Sequence, residues 1–347
     1  MMLVIALGLG IWALGWVMEV PVVRRLAVLG AVWAAVVLVH LVLPEGHAVR
    51  LAIGGDVRVW LVLGGGGVLV AGYVFGLRLL RDRARPLAVR EPVQDGAFRD
   101  AELDRYARHI LLREIGGPGQ QRLKAAKVLV VGAGGLGSPA LLYLAAAGVG
   151  TIGVIDADVV EGSNLQRQII HADARIGLPK VQSAEIAMRA LNPFITVRPY
   201  QRRLEEQTAA ALIAEYDLIL DGTDNFDTRY LVNRVCADLG KPLISAAITQ
   251  WEGQIALYDP ARGGPCYQCV FPERPLPGMV PTCAEAGVAA PLPGIIGAMM
   301  AMEAVKHLTG AGEALRGRLM IFDALYAEAR VIGVKKRPDC PVCAGKA

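Results

Sequence analysis

Lys127-Val128-Leu129-Val130-Val131-Gly132-Ala133-Gly134-Gly135-Leu136-Gly137-Ser138 is the stretch from which the fold can be read. The apolar run Lys127 to Val131 ends on a glycine-rich turn, and Ser138 to Ala147 continues with helix formers, so the pattern is strand, turn and helix. Glycines let the backbone bend sharply and approach a pyrophosphate, and the helix N-terminus that follows favours the anion. Alone, such a turn fits any dinucleotide-binding fold.

The downstream pattern alternates. Thr151 to Ile155 reads as a strand, Lys180 to Leu191 as a helix, Ile195 to Tyr200 as a strand, Glu205 to Ala214 as a helix and Leu218 to Leu220 as a strand. This implies an α/β fold with a doubly wound, mostly parallel Rossmann-like sheet. After a helix around Asn225 to Leu239, strands are expected at Leu243 to Ala247, Gln254 to Tyr258, Leu319 to Phe322 and Ala329 to Val334, with a helix from Gly294 to Leu308 among them. The later half is therefore expected to be mixed. Between Phe271 and Pro293 a Pro- and Gly-rich segment without periodicity suits a crossover loop or lid.

Chemistry-bearing residues gather after these strands. Asp156 ends the second strand 21 positions after Gly135, where an acid reaches the ribose hydroxyls of a nucleotide lying on the turn. That position fits NAD and ATP equally, and a solvated strand-end Asp is its structural alternative. Within Ser163-Asn164-Leu165-Gln166-Arg167-Gln168, Asn164 and Arg167 join Lys180 to add an amide and two cations, which a triphosphate uses better than a dinucleotide does. Asp221-Gly222-Thr223-Asp224-Asn225 follows the next parallel strand, and Asp224 is placed to hold magnesium through its carboxylate. Its structural alternative is an N-cap for the following helix, a role that Asp221 offers as well.

Four of the six cysteines form two Cys-x-x-Cys pairs, Cys266 with Cys269 and Cys340 with Cys343. The spacing is that of a closed, structural tetrathiolate zinc site, with Pro265 and Pro341 suiting the tight turns. Cys236 sits in an amphipathic helix and is expected in the core. Cys283, on the irregular loop in Thr282-Cys283-Ala284-Glu285-Ala286-Gly287, is expected to be exposed and nucleophilic, against the alternative of a small buried residue.

The first eighty residues have a different solvent. Met1 to Met18, Leu26 to Pro44 and Val59 to Leu77 carry no Asp, Glu, Lys or Arg, and each nearly crosses a hydrocarbon layer of roughly 30 Å at about 1.5 Å per residue. Three transmembrane helices are expected over 1–80, a linker over 81–100 and a folded domain over 101–347. A secretory signal is the alternative for the first span, but no Lys or Arg precedes it, and Trp12 and Trp16 stand where small residues precede cleavage. Arg24 and Arg25 between spans one and two, and Arg78, Arg81, Arg83 and Arg85 after span three, place both clusters and the C-terminal domain in the cytoplasm. Multi-pass insertion in the inner, cytoplasmic membrane is the expected localisation. The glycine run Gly64 to Gly67 has no following Gly-Lys-Ser/Thr, so close helix packing is expected there. The formal net charge of +4 comes mostly from the first hundred residues, which leaves no basic footprint for nucleic acid.

From about Arg105 to Cys343 the chain resembles the MoeB/ThiF/HesA group, bacterial relatives of the ubiquitin-activating enzymes, and MoeB most of all. The likeness rests on Arg105-Tyr106-Ala107-Arg108, the glycine turn, Asp156, Ser163 to Gln168, Gly177-Leu178-Pro179-Lys180, Thr223-Asp224-Asn225, both Cys pairs and Thr282-Cys283. It implies that Gly135, Asp156, Ser163, Asn164, Leu165, Gln166, Arg167, Lys180, Asp224 and Asn225 bind ATP and magnesium. It also implies a homodimer in which Arg108 reaches the other subunit's site. The implied substrate is a ubiquitin-like sulfur carrier, of the type that serves molybdopterin or thiamine biosynthesis. The carboxylate of its C-terminal Gly-Gly attacks the α-phosphorus of ATP, giving an acyl-adenylate and pyrophosphate. Arg108, Arg167 and Lys180 then stabilise the phosphorus transition state, and Cys283 is the position that takes an acyl group or persulfide in relatives. The membrane spans and the stop after the second Cys pair depart from the family pattern, so sulfur is expected from a separate sulfurtransferase or cysteine desulfurase. An NAD-dependent oxidoreductase, a tRNA-modifying dehydratase of the same superfamily and a non-catalytic membrane scaffold are the competing readings.

Overall fold

The structure, a computed structural model, describes residues 1–18, 20–84, 98–275 and 286–346. Cys283 and most of the expected linker lie outside the described residues. The chain divides into two compact units, Met1–Pro92 and Val93–Ala347.

The first unit is helical: α1 is Met2–Val17, α2 Val22–Val42, α3 Ala48–Ile53 and α4 Val57–Ala84. Three spans are expected from the sequence, but among the described residues two helices are long and apolar enough, with windows Arg24–Val42 and Val57–Val74 of mean hydropathy 2.1 and 1.6. The expectation fails at α1. Its 16 residues reach only about 24 Å, short of a hydrocarbon core of roughly 30 Å. Gly64 of α4 packs against Trp33 of α2, where a Cβ would overlap the indole ring, and Trp33 Nε1 donates to the Trp60 carbonyl at 2.7 Å. Close packing therefore holds for Gly64, whereas Gly65, Gly66 and Gly67 have open space beside them.

The second unit opens with α5 (Asp100–Ile110) and α6 (Gly116–Ala125). The rest alternates as β1 (Lys127–Val131), α7 (Gly137–Ala147), β2 (Thr151–Ile155), α8 (Lys180–Leu191), β3 (Thr196–Tyr200), α9 (Glu206–Ala214), β4 (Leu218–Asp221), α10 (Phe226–Leu239) and β5 (Leu243–Ile248). Then come β6 (Glu252–Tyr258), α11 (Tyr267–Val270), α12 (Leu292–Thr309), β7 (Arg318–Asp323) and β8 (Glu328–Gly333). The eight strands form one sheet in the order β3-β2-β1-β4-β5-β6-β7-β8. The first five pair in parallel and the remaining three antiparallel, so the expected mixed later half is present.

Both faces of the parallel half are covered, which is why β1 reads as a continuous apolar run rather than an alternation. Val128 and Val130 point into a core with Leu141, Leu144, Met188 and Met300 of α7, α8 and α12. Leu129 and Val131 point the other way, onto Leu212, Ile213 and Val232 of α9 and α10. Strand order reverses beside β1, whose neighbours are β2 and β4, and the crevice outside the carboxyl ends of such strands is where open α/β sheets bind ligands.

Candidate functional site

Three strands end level at this crevice. Val131 is in register with Ile155 and with Asp221, so Gly132, Asp156 and Gly222 leave the sheet together. Gly132 takes φ +94°, a left-handed conformation that suits glycine, and a Cβ on Gly137 would overlap the Gly132 carbonyl oxygen. Asp156 then ties the turn to β2: its Oδ2 accepts the Ala133 N–H at 2.8 Å, and its Oδ1 accepts the Asp158 N–H at 2.9 Å. Each oxygen keeps a lone pair free.

The segment Ser163 to Gln168 lies against the turn. A Cβ on Gly135 would sit 3.7 Å from Arg167 Cγ and 3.1 Å from Pro293 of α12, and one on Gly134 would sit 3.7 Å from Gln168 Nε2. Arg167 Nη2 donates to Asn164 Oδ1 at 2.8 Å, while Ser163 and Gln166 face solvent and Leu165 is half-buried. Gln168 is buried, and its Oε1 lacks a partner among the described residues. Lys180 is only 5% exposed, and its Nζ is paired at 2.8 Å with the exposed Asp158, two residues past Asp156. A buried ammonium held by one solvent-facing carboxylate is available to a more highly charged anion.

Thr223 approaches the start of the turn: a Cβ on Gly132 would lie 3.5 Å from its Cγ2. The helix cap here belongs to neither aspartate considered from sequence. Asn225 Oδ1 accepts the Thr228 N–H at 3.0 Å and caps α10, whereas Asp221 is fully buried beneath the loop. Asp224 is exposed, with no hydrogen bond or ion pair among the described residues, so its carboxylate is free for a hard cation. Arg108 is exposed in the last turn of α5 and is not joined to this constellation within the chain, whereas Arg105 donates to the Leu191 carbonyl at 2.7 Å and stacks on Phe194.

Two residues that sequence reasoning missed hold the site from below. His171 is buried; its Nε2–H donates to the Ala133 carbonyl and its Nδ1 accepts from the Ser183 hydroxyl, both at 2.9 Å. Burial, with Lys180 and Arg175 nearby, pushes its pKa below the ordinary value, so the ring is neutral and its tautomer fixed. Arg229, one turn into α10, donates to the Thr223 carbonyl and, at 2.9 Å, to that of Ala246. No spacing rule singles out either residue.

A separate cluster joins the two Cys-x-x-Cys pairs. The four sulfurs lie within 4.8 Å of one another, with Cys266 to Cys340 at 3.6 Å and Cys269 to Cys343 at 3.3 Å. Tetrahedral zinc with Zn–S near 2.3 Å places its sulfurs about 3.8 Å apart, so the donor set fits that ion. All four are buried, and the Arg337 N–H points at Cys269 Sγ at 3.4 Å. Cys236 is in the core as expected, and burial drives its thiol pKa upward, away from reactivity.

Comparison with known proteins adds a family. The sequence model of the ThiF family matches residues 106–342. A sulfur carrier protein adenylyltransferase from Thermus thermophilus is 50% identical over 246 residues, covering 70% of this chain and 91% of that protein. A SAMP-activating enzyme E1 from Haloferax volcanii is 50% identical over 242 residues, covering 70% and 89% respectively. Among solved structures, Escherichia coli MccB with MccA-N7isoASN aligns with a TM-score of 0.63 at 24% identity, over 70% of this chain and 75% of that one, a likeness of fold.

Proposed function

The chain belongs to the ThiF family, and from that premise we propose that it adenylates the C-terminal glycine of a ubiquitin-like sulfur carrier with ATP, ahead of sulfur transfer. The observation that carries the reading is the convergence of the glycine turn, Asp156, Arg167 and the Thr223–Asp224 loop at the carboxyl ends of β1, β2 and β4. Likeness to enzymes named for this activity supports it.

On this reading the turn and the α7 N-terminus receive the phosphates, and the free lone pairs of Asp156 receive the ribose. A carboxylate oxygen of the carrier's terminal glycine attacks the α-phosphorus. Its new bond to phosphorus replaces the bond to the β-phosphate bridging oxygen, and pyrophosphate leaves. The step asks for charge stabilisation more than covalent chemistry. Arg167 is already aligned beside the turn, and Lys180 exchanges Asp158 for the phosphates. Asp224 is the carboxylate that would hold magnesium, which neutralises charge on the leaving group when bound. The four cysteines would hold zinc, closing the segment after β6 onto the C-terminal residues. Arg108 is proposed to complete the site of a second subunit, making the working enzyme a homodimer. A thiol is not needed for adenylation.

An oxidoreductase reading leaves Asp224 and both Cys pairs without roles. We further propose that α2 and α4 cross the inner membrane. Arg24 and Arg25 begin α2, and Arg81 and Arg83 close α4, so the positive-inside rule puts both ends, and the catalytic unit, on the cytoplasmic side. The test of function is ATP–pyrophosphate exchange by the full chain with candidate Gly-Gly carriers, comparing wild type with Asp224→Asn. Carrier-dependent exchange that Asp224→Asn abolishes is expected. A folded, zinc-loaded protein that exchanges with none of the carriers refutes the proposal and favours the dehydratase or scaffold.

A further inference from the structure

We propose that Arg229 is a positioning residue for the Asp224 carboxylate, acting through the peptide of Thr223. The inference rests on the reading that Asp224 serves a magnesium–ATP site, and deepens it.

Asp224 is held by nothing of its own, so its direction is set by its neighbours in the chain. On one side, Asn225 is pinned as the α10 cap. On the other, every polar atom of Thr223 is engaged. Its N–H donates to Asp221 Oδ1 at 3.0 Å, its hydroxyl donates to the same oxygen at 2.6 Å, and its carbonyl accepts from Arg229 Nη2. The two charged residues that grip it are themselves buried, Asp221 completely and Arg229 to all but 4%. Asp221 Oδ2 accepts from Ser245 Oγ at 2.9 Å, Arg229 Nη1 reaches Ala246 O at 2.9 Å and Ser245 Oγ at 3.2 Å, and Arg229 Nε lies 3.8 Å from Asp221 Oδ2. The guanidinium also lies over the ring of Tyr267, 5.7 Å from its centroid. Tyr267 stands between Cys266 and Cys269, and its N–H donates to Asn233 Oδ1 at 2.8 Å.

A buried ion pair contributes little net stability compared with an apolar pair of the same shape, because desolvation offsets attraction. What this pair supplies is direction. A planar fork with several fixed N–H vectors bridges the carbonyls of Thr223 and Ala246, which a lysine ammonium, as a point donor, does not reproduce. The loop that carries Asp224 is thereby bolted to β5 and to the Cys266–Cys269 turn.

The experiment measures ATP affinity of the full chain calorimetrically, in magnesium-free buffer without chelator and in excess magnesium. Wild type is expected to bind ATP more tightly with magnesium. Arg229→Lys and Thr223→Val are expected to erase at least about tenfold of that gain, because misplacing a positioned group by about 1 Å costs on the order of 10²-fold. The quantity read is the magnesium gain itself, the ratio of the two affinities, so a loss common to both conditions cancels, and Thr223→Ser, which keeps the hydroxyl donor, should restore the gain. Should Arg229→Lys not fold, Thr223→Val against Thr223→Ser decides. A full magnesium gain in Thr223→Val, or an equal loss with and without magnesium, overturns the positioning role. Asp224→Asn separates the two layers: if it too retains the gain, the site reading itself has failed.

Discussion

Replacing His171 with Phe tests the claim that a buried imidazole holds the glycine turn. The ring makes two hydrogen bonds, to the Ala133 carbonyl and from the Ser183 hydroxyl, and both residues are fully buried. His171→Phe fills the space but strands both groups, and each orphaned buried polar group costs about 1–3 kcal/mol, so the loss should be about 2–6 kcal/mol. Adding Ser183→Ala to His171→Phe removes one orphan and should recover about 1–3 kcal/mol. At about 2–4 °C per kcal/mol for a unit of this size, the recovery is readable as a rise in Tm. Urea unfolding of the full chain, followed by tryptophan fluorescence and circular dichroism, supplies the energies. A double variant less stable than His171→Phe, by the full cost of Ser183→Ala alone, would show the two side chains to be independent and refute the reasoning.

Acid sensitivity follows from the same ring and from His307, whose pKa burial also lowers, with Arg316 and Arg262 adding to it. Each binds its proton less tightly in the native state than in the unfolded chain, which protonates near pH 6.5, so stability is nearly flat well above that pH. Below it, stability should fall by up to about 1.4 kcal/mol per pH unit for each histidine, and His171→Phe should flatten the slope in denaturant titrations across pH 5–7. Gly137→Ala drives a Cβ into backbone at Gly132, which cannot move aside as a side chain can. The expected result is loss of ATP-induced thermal stabilisation, at a stability cost of about 1–3 kcal/mol or more. Cys340→Ser should lower zinc content from about one ion per chain towards none, by elemental analysis, with a marked drop in Tm. In the first unit, Gly64→Leu collides with Trp33 and should weaken the α2–α4 pair, read as increased protease sensitivity of α4 in detergent, while Gly65→Leu, with open space around it, should not.

The regular elements were legible because their signals are local. β1, β2 and α8 begin and end where the apolar pattern and glycines put them, since parallel strands buried on both faces need uninterrupted apolar runs. α6 was not, because Gly116-Gly117-Pro118-Gly119 reads as a breaker. Those residues occupy the first turn, where helical N–H groups lack partners anyway and Pro and Gly cost less. The ligand-facing residues were legible for a similar reason: Asp156, Lys180 and Asp224 follow strand ends or open a helix, positions that topology alone sends to the crevice. His171 and Arg229 were not legible, since their roles come from partners 38 and 17 residues away, Ala133 and Ala246, and nothing in Ile170-His171-Ala172 or Thr228-Arg229-Tyr230 marks them. The helical cap shows the same limit: Asp221, Asp224 and Asn225 all suit it chemically, and only the backbone path selects Asn225.

That path also explains why the Cys cluster and the crevice belong to one architecture. α10 starts at the crevice with the Asn225 cap and Arg229, and one turn further on presents Asn233, whose Oδ1 fixes the Tyr267 N–H in the first Cys-x-x-Cys turn. Tyr267 returns the contact by packing on Arg229 and, edge to face, on Tyr230 and Tyr258. A single helix thus meets the crevice at its N-terminus and the Cys266–Cys269 turn along its middle, joined by aromatic contacts that resist small displacements. If the four thiolates hold zinc, as proposed, its removal would first cost Tyr267 its footing, and next the guanidinium that it covers. Metal loss should therefore weaken ATP binding selectively in magnesium before the unit unfolds, a sequence that calorimetry on protein titrated with a zinc-selective chelator that spares magnesium would resolve. Simultaneous loss of magnesium-free binding and of the fold would mean that the cysteines stabilise the unit as a whole and do not communicate through this contact.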